Sequence, residues 1–526
     1  MTSDVASISK AEPKKVTGIE KLANVFALLI LITGVGLFAI RNLGNRYFWS
    51  DESASFFTVL GWPPVEKFDN LSSVFGVREG HVEPGMFNLL ERYWALWVGA
   101  DIVSLRTLPF LIFIVYIAAL LLLARKVGAP WFLGCAVVGF MLLENITPYY
   151  AVELRPSVAG LAATVVLPLA AIWLTFSRSI YRASLVYVVI FIFFGSMQYN
   201  SFPIIVAVAA LLLVASLKEP NRKKKVLLFG VSLFSILWLP FMYVLQMGNP
   251  FDLVGGDYFS NIPNVYIPNM PLDQALRTIF NNFFSLTALP RTLFILLLPL
   301  TWAFKKFPFP TRESSKIEWG VNAVWITVFF GTAVSFVAGV LGVLPWVLGT
   351  RWSISEVGLI ALSLVGLAGL LSQSKFFHWR SVFIGTLILS LLVGLSGAYR
   401  VANYERTPGF NWNSTFQELL SGAPGGAYVD NWNYWELRYW IGYSGQYDEF
   451  RDRWIDSEIQ TVGATGKADV QDIERFFASD ADRLLLRSGT LLEGVQVPSD
   501  IRIMPVAPWG EPRAVVAEDP VLLVRD

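Results

Sequence analysis

The sequence predicts an α-helical polytopic membrane protein, with about eleven transmembrane helices and a small C-terminal α/β domain on the extracytoplasmic side. Hydrophobic residues make up 54% of the chain and charged residues only 15%, whereas a soluble domain carries about a quarter. The apolar residues fall in runs of about 17–25, the length that crosses a bilayer as a helix. Basic residues are concentrated in every second connection between these runs, as they are in chains that cross a membrane repeatedly.

The apolar runs define a membrane domain over residues 22–400, preceded by a polar tail, 1–21. Each run is a predicted span; the pair 183–198 and 201–217 is the weakest of these predictions, because both runs are short and only Tyr199 and Asn200 join them. The runs are 22–40, 103–124, 129–146, 157–176, 183–198, 201–217, 226–246, 286–304, 319–343, 354–372 and 380–398.

The basic connections predict which way the helices cross, because Lys and Arg in short loops are retained in the cytoplasm. The odd-numbered connections are less basic and include two long loops, 41–102 and 247–285. We therefore expect a multi-pass protein of the inner (cytoplasmic) membrane, with a cytoplasmic N-terminus and a periplasmic or extracellular C-terminus. The basic residues of the tail and of the even connections are Lys10, Lys14, Lys15, Lys21, Arg125, Lys126, Arg178, Arg182, Arg222, Lys223, Lys224, Lys225, Lys305, Lys306, Arg312, Lys316, Lys375 and Arg380.

The C-terminal segment, 401–526, changes character after the last apolar run. Alternating helix-like and strand-like stretches with Gly/Pro turns predict a small α/β domain. The helix-like stretches are Ser414–Leu420 and Val470–Ala478, and the β-rich stretches are Ala427–Val429, Arg483–Leu486 and Val521–Val524.

Composition argues against several classes of protein. The net charge of +1 gives no global field that would attract nucleic acid. The single cysteine, Cys135, allows neither an internal disulfide nor a cysteine-based metal site. The stretch Gly463–Lys467 lacks the phosphate-loop pattern, so no nucleotide cofactor is expected.

Charged residues collect on the predicted outer side, where charges near membrane spans commonly have a function. They are Asp51 and Glu52 in the first long loop, His81 and Glu83 later in it, Glu153 and Arg155 after the third span, and Arg351 before the tenth. Carboxylates and arginines together indicate chemistry on an anionic lipid headgroup. A sugar on a lipid phosphate has a good leaving group, so its transfer needs a base for the acceptor hydroxyl and cations for the phosphate.

Five motifs in order resemble those of the GT-C membrane glycosyltransferases, especially family 39-like bacterial members. The relatives of these include the protein O-mannosyltransferases and the lipid A aminoarabinose transferase. The resemblance covers residues 1–400, and Glu83 and Trp352 depart from the family pattern, which has Pro and Tyr there. The motifs are the acidic pair Asp51-Glu52, the element His81–Pro84 with the amphipathic stretch Phe87–Trp97, Leu105–Pro109, the tract Tyr149–Pro156, and Arg351-Trp352.

The resemblance implies a polyprenyl-phosphate sugar donor, transfer at the outer face, and inversion at the anomeric carbon. Asp51 is then the general base, and Arg351 and Arg155 bind the donor phosphate. Glu52, His81, Glu83, Glu153 and Tyr150 are assigned to positioning donor or acceptor. The acceptor is a glycolipid, a surface polysaccharide or a protein, and the donor reaches the site from the surrounding membrane lipid.

Each of these residues also has a structural interpretation. Asp51 can cap a juxtamembrane helix, Glu52 can be a solvated acid or bind a cation, and Arg351 can be an interfacial anchor. Glu153 and Arg155 can be a structural pair whose side chains, two apart on a helix, point in different directions. His81 and Glu83 alone are a weak metal signal, because catalytic zinc takes three protein ligands; a divalent cation is left open and no metal ligand is assigned.

Two other functions are compatible with a polytopic chain. A lipid or glycan transporter or flippase would carry charges near the middle of several spans, in two repeated halves, and the sequence shows neither. A non-catalytic envelope-assembly scaffold would lack the base, whereas Asp51 is present. Among enzymes, the alternative is an oligosaccharide ligase or polymerase. Such an enzyme would carry a large outer loop between two of its last spans, whereas this sequence has its extramembrane domain after all of the spans.

Overall fold

The structure is a computed structural model that describes residues 18–44, 86–144, 146–198, 201–247, 270–285, 288–304, 316–342, 354–374, 377, 379–404, 415, 418–419, 427–430, 459–462, 470–486, 488–506 and 520–525. Helices account for most of the described residues up to Ala402, and a small mixed sheet follows them. The helices before the sheet are α1 Gly18–Asn42, α2 Met86–Val98, α3 Ile102–Lys126, α4 Trp131–Leu143, α5 Ile146–Tyr150, α6 Ser157–Phe176, α7 Ile180–Gly195, α8 Phe202–Lys218, α9 Arg222–Met247, α10 Leu272–Phe284, α11 Leu289–Phe304, α12 Lys316–Val340, α13 Ile354–Gln373 and α14 Arg380–Ala402.

Every predicted apolar run contains one of these helices, so the protein is a helical, polytopic membrane protein. Within the described ranges, six helices are long and apolar enough to cross a membrane: α1, α3, α6, α12, α13 and α14. A seventh span results if α10 and the first part of α11, which meet at a bend of 73°, count as one. Since α4, α7 and α8 are shorter apolar helices, the number eleven stays a prediction.

The ends of α3 show how local sequence sets helix boundaries. The carboxylate of Asp101 accepts the backbone N–H of Ser104 at 3.0 Å and so caps the first turn. Burial acts to raise the pKa of Asp101, but hydrogen bonds from Ser104 and its neighbours outweigh it, and the pKa is lowered. At the other end, Arg125 and Lys126 lie in the last turn and Gly128 has a φ of +86°, which stops the helix.

Small residues let α1, α4 and α14 approach closely. A Cβ added at Gly139 of α4 would lie 2.7 Å from the Cα of Gly394 in α14. Gly397 of α14 is in contact with the backbone of Gly139, and Gly34 of α1 faces Ala398. Without a hydrophobic force between helices in lipid, close backbone packing of this kind holds them together.

Hydrogen bonds join the helix ends that lie next to the basic connections. These bonds are Phe132 N to Asn24 Oδ1 (2.9 Å), Trp319 Nε1 to Thr175 Oγ1 (2.8 Å), Lys224 Nζ to Thr175 O (2.7 Å) and Gln373 Nε2 to Val127 O (3.4 Å). At the opposite end, Asn42 Nδ2 donates to Tyr404 O at 2.9 Å. We call these two ends of the bundle the basic side and the far side.

The C-terminal segment forms a five-stranded sheet in the order β2-β1-β3-β5-β4. Its parallel half pairs β1 with β2 and β3, and its antiparallel half pairs β5 with β3 and β4. Helix α15 packs Ile473 and Phe476 against Leu484 and Leu523 of the sheet. The elements are β1 Ala427–Asp430, β2 Ile459–Val462, α15 Val470–Phe477, β3 Arg483–Leu486, β4 Ile501–Pro505 and β5 Val521–Arg525. Strands β2 and β4 were not expected from the sequence.

Candidate functional site

Three of the predicted site residues, Tyr150, Glu153 and Arg155, lie within the described ranges. All three belong to one short tract between α4 and α6 on the far side. The others lie outside those ranges: Asp51, Glu52, His81, Glu83 and Arg351.

Glu144 organises the start of this tract. Its Oε2 atom accepts the backbone N–H groups of Ile146 at 2.7 Å and Thr147 at 3.4 Å. These bonds cap the single-turn helix α5, which ends at Tyr150, and they fix its direction after α4. The rings of Tyr149 and Tyr150 meet edge to face, with centroids 5.1 Å apart.

Backbone hydrogen bonds make residues 151–156 a compact turn. The N–H of Glu153 donates to Tyr150 O at 3.4 Å, and that of Arg155 donates to Glu153 O at 2.7 Å. Pro156 then precedes α6, and its carbonyl accepts the N–H of Gly160 at 2.9 Å. Glu153 and Arg155 therefore lie in a turn, and the helical geometry assumed for them in the sequence analysis is wrong.

The turn buries its carboxylate and leaves its guanidinium half-buried. Glu153 is 1% exposed and Tyr150 is also buried, whereas Arg155 has an intermediate exposure. A buried carboxylate is costly unless it is paired, and both charged residues have an interaction partner. The turn therefore places a half-buried cation at the far side, two residues from a buried carboxylate.

Gln198 joins this region from the end of α7. It is buried, and its side chain lies directly against Gly160, one turn into α6. Only a glycine leaves room for this amide, because a Cβ at position 160 would overlap its Oε1 atom. An amide at the end of an apolar run was the sequence signal for this residue.

A second buried polar cluster, which the sequence analysis missed, joins α10, α11 and α13. Arg291 and Glu356 form an ion pair in which the side chains are 0% and 3% exposed. Arg291 also donates to the carbonyl of Asn282 and lies 5.0 Å from the ring centroid of Phe283. The available signal was one Arg in the eighth apolar run and one Glu in the tenth.

Two more charged residues are buried beside the first long loop. Glu91 of α2 and Arg106 of α3 are both inaccessible to solvent, and each has an interaction partner. The indole N–H of Trp94 donates to Ser104 O at 2.8 Å and holds α2 against the first turn of α3. Arg106 thus lies at the far side.

All buried charges in the described part of the helical bundle therefore lie at the far side. They are Glu91, Arg106, Glu153, Arg291 and Glu356. Arg106, Arg291 and Glu356 lie within the first five residues of α3, α11 and α13, and Glu153 lies in the turn before α6. Glu91 lies in α2, which Trp94 holds against the first turn of α3. In the same ranges no three His, Cys, Asp or Glu side chains come together as a metal site requires.

Comparison with known proteins relates this chain to solved structures only. No protein-family profile and no curated protein matches its sequence. The apo oligosaccharyltransferase of Archaeoglobus fulgidus has a TM-score of 0.52 at 10% identity, over 90% of this chain and 70% of its own. ArnT from Cupriavidus metallidurans in the apo state has a TM-score of 0.51 at 10% identity, over 96% of this chain and 98% of its own.

A third structure with the same fold contains a lipid phosphate. It is the AglB oligosaccharyltransferase of Archaeoglobus fulgidus with an inhibitory peptide and a dolichol-phosphate, which has a TM-score of 0.50 at 10% identity over 91% of this chain and 70% of its own. The protein therefore shares its fold with the oligosaccharyltransferase of Archaeoglobus fulgidus and with ArnT.

Proposed function

We propose that the protein is a membrane-embedded glycosyltransferase that moves a sugar from a polyprenyl-phosphate donor to an acceptor hydroxyl at the outer face of the cytoplasmic membrane. The acceptor is a glycolipid such as a lipopolysaccharide, a surface glycan, or a protein. The reaction inverts the anomeric carbon, with Asp51 as general base.

The observation that carries this proposal is the GT-C fold together with the one-sided placement of the buried charges. The similarity to ArnT spans nearly the whole of both chains. A fold alone does not imply an activity. Buried charges within a membrane are, however, retained mainly where they serve a site, and here they gather on one side.

The donor class is supported by the chemistry of that side and by one neighbour. The AglB structure contains a dolichol-phosphate, which is a polyprenyl-type lipid phosphate. Arg155, half-buried on its turn, supplies a guanidinium that can fork onto phosphate oxygens. Arg351, three residues before α13 begins, is the second proposed phosphate ligand.

The proposed step balances as a single displacement. The acceptor oxygen forms a bond to the anomeric carbon while the Asp51 carboxylate takes the hydroxyl proton. The bond between that carbon and the phosphate oxygen breaks, and the phosphate leaves with the electron pair. Arg351 and Arg155 stabilise the charge that develops on it, while Glu52, His81, Glu83, Glu153 and Tyr150 position donor and acceptor.

The first test is transfer from radiolabelled polyprenyl-phosphate sugars into a membrane extract. Wild type is compared with Asp51→Asn at matched expression. Asp480→Asn, the same chemical change at an exposed position of the C-terminal segment, is the control. We expect the control to keep full activity and Asp51→Asn to lose about 10²–10⁴-fold.

Each other outcome has a definite meaning. Transfer retained by Asp51→Asn would contradict the assigned base and direct attention to Glu52 or Glu153. Unchanged donor kinetics in Arg351→Ala would remove Arg351 from the phosphate site. If wild type transfers no label across a panel of donor sugars, the proposed reaction is wrong.

One observation favours the transporter alternative. Helices α10 and α11 form a bent pair with a buried ion pair beside it, and broken helices are typical of transporters. The ion pair lies near the N-terminal ends of α11 and α13, however, and not midway along them. Movement of a labelled lipid across the bilayer of proteoliposomes, without any sugar transfer, would favour this alternative.

A further inference from the structure

Helix α10 exposes two stripes of opposite character. Its apolar stripe consists of Leu272, Leu276, Phe280 and Phe284, which are 77%, 58%, 60% and 54% exposed. Its polar stripe consists of Asp273, Arg277 and Asn281, each one residue further along the chain. Because successive residues in a helix are turned by about 100°, the two stripes face neighbouring directions.

The third side of α10 is held by the protein. Ala275 and Asn282 are buried, and the ring of Phe283 lies 6.3 Å from that of Phe336 in α12. The corner between α10 and α11 is fixed by hydrogen bonds from Arg291 to Asn282 O and from Thr292 to Phe283 O. The helix therefore presents its two exposed stripes in fixed directions.

Neither water nor hydrocarbon alone suits this exposed surface. Four large apolar side chains along one stripe would stand in water if the helix lay outside the membrane. Asp273 and Arg277, 72% and 80% exposed and 3.9 Å apart, would stand in hydrocarbon if it lay within the bilayer core. A helix with these two stripes fits the boundary between the two.

The apolar stripe also continues onto the next helix. Leu289, Leu293 and Leu296 of α11 are exposed, at the spacing of one helix face. That helix is apolar and turns 73° away from α10. A depression of 580 Å³ runs along α10, lined by five of its apolar side chains together with Arg277 and Asn281.

We propose that α10 lies flat in the membrane interface at the far side, and that its partner is the lipid bilayer itself. The apolar stripe contacts acyl chains, which also enter the depression beside Phe280 and Phe283. The polar stripe lies among the headgroups, where Arg277 reaches lipid phosphates. This surface does not depend on the proposed catalytic function.

The test uses pairs of adjacent single cysteines. The chain has only one native cysteine, Cys135, and it is buried, so the unmodified protein gives the labelling background. Leu276→Cys and Arg277→Cys form the first pair, and Phe280→Cys and Asn281→Cys form an independent second pair. Each variant is spin-labelled and reconstituted in vesicles of phosphatidylethanolamine and phosphatidylglycerol.

The measurement is the collision of each label with oxygen, which concentrates in lipid, and with a water-soluble nickel chelate. We expect the ratio of oxygen to nickel accessibility to be several-fold higher at 276 and 280 than at 277 and 281. A thermal midpoint equal to that of the parent shows that a variant is folded.

Three results would overturn the proposal. High nickel accessibility in both stripes would place α10 in water. High oxygen accessibility in both would place it within the bilayer core. Shielding of the apolar stripe from both reagents would show that protein covers it, either a second copy or another segment of this chain.

Discussion

At the scale of single residues, the far side of the bundle combines buried acids with arginines of different exposure. Glu153 and Glu356 are buried, Arg291 is buried, and Arg155 is half-buried. A fully buried Arg already engaged by a carboxylate is a structural cation, whereas a half-buried one can still reach a ligand. This difference in burial favours Arg155 over Arg291 as the proposed phosphate ligand.

The role of Glu153 is tested by an isosteric change. Because it lies on the turn that carries Arg155, Glu153→Gln should lower kcat/KM for transfer by about tenfold to hundredfold through misplacement of the reactants. Glu144→Gln is the matched control, since its amide oxygen can still accept the N–H groups of Ile146 and Thr147. Full activity in Glu153→Gln would make this carboxylate purely structural.

The ion pair between Arg291 and Glu356 makes a prediction about stability. Arg291→Met leaves the Glu356 carboxylate buried and should destabilise the fold by roughly 3–5 kcal/mol. The double variant Arg291→Met with Glu356→Leu should be clearly more stable than Arg291→Met, because no isolated charge remains. The unfolding midpoints of the purified proteins in detergent test this prediction. A double variant that is no more stable than Arg291→Met would contradict it.

At the scale of elements, the bundle relies on close helix contacts at glycines. Helices α4 and α14 meet at Gly139, Gly394 and Gly397, and α1 meets α14 at Gly34. Such contacts replace the hydrophobic driving force that lipid removes. The helix interfaces therefore depend on shape more than on polarity.

Two alanine substitutions distinguish a close contact from an ordinary glycine. Gly139→Ala places a methyl group against the backbone of Gly394 and should destabilise the protein by about 1–3 kcal/mol. Gly385→Ala, on α14 where nothing lies within 4 Å of the added Cβ, should be neutral or stabilising by up to about 1 kcal/mol. Equal unfolding midpoints for the two variants would show that α4 and α14 do not meet as described.

At the scale of the whole molecule, the two ends of the bundle differ in kind. The basic side carries Lys and Arg connections and hydrogen bonds such as that from Trp319 to Thr175. The far side carries the buried charges and the proposed lipid-facing helix α10. A one-sided site fits an enzyme that acts at one membrane face.

Cysteine labelling of intact cells tests the predicted orientation. Two exposed serines are each replaced by cysteine. Ser179 lies in the basic connection between α6 and α7, and Ser499 lies in the C-terminal segment. A membrane-impermeant maleimide should label Ser499→Cys directly and Ser179→Cys only after permeabilisation. The reverse pattern would invert the topology, and labelling of both in sealed cells would contradict alternating spans.

The sequence by itself determined the membrane class and the position of the helix in each apolar run, but it did not predict α10, which lies in the loop 247–285. Apolar runs must form helices in lipid, because only a helix satisfies its own backbone hydrogen bonds there. For the same reason each of the eleven runs contains a helix. The sequence also singled out the tract 149–156, because charges beside apolar runs stand out, and the role of this tract in a site stays a prediction.

Only the tertiary structure decided how those charges are used. Three features depend on which helices are neighbours. Arg291 pairs with Glu356, 65 residues away, Gln198 lies against Gly160, and Glu153 is buried in a turn. Helices pack together where their shapes fit, as at the contact of Gly139 with Gly394. The hydropathy of a sequence contains no information about this fit. The two stripes of α10 became informative for the same reason, once its third side was seen to be held by the protein.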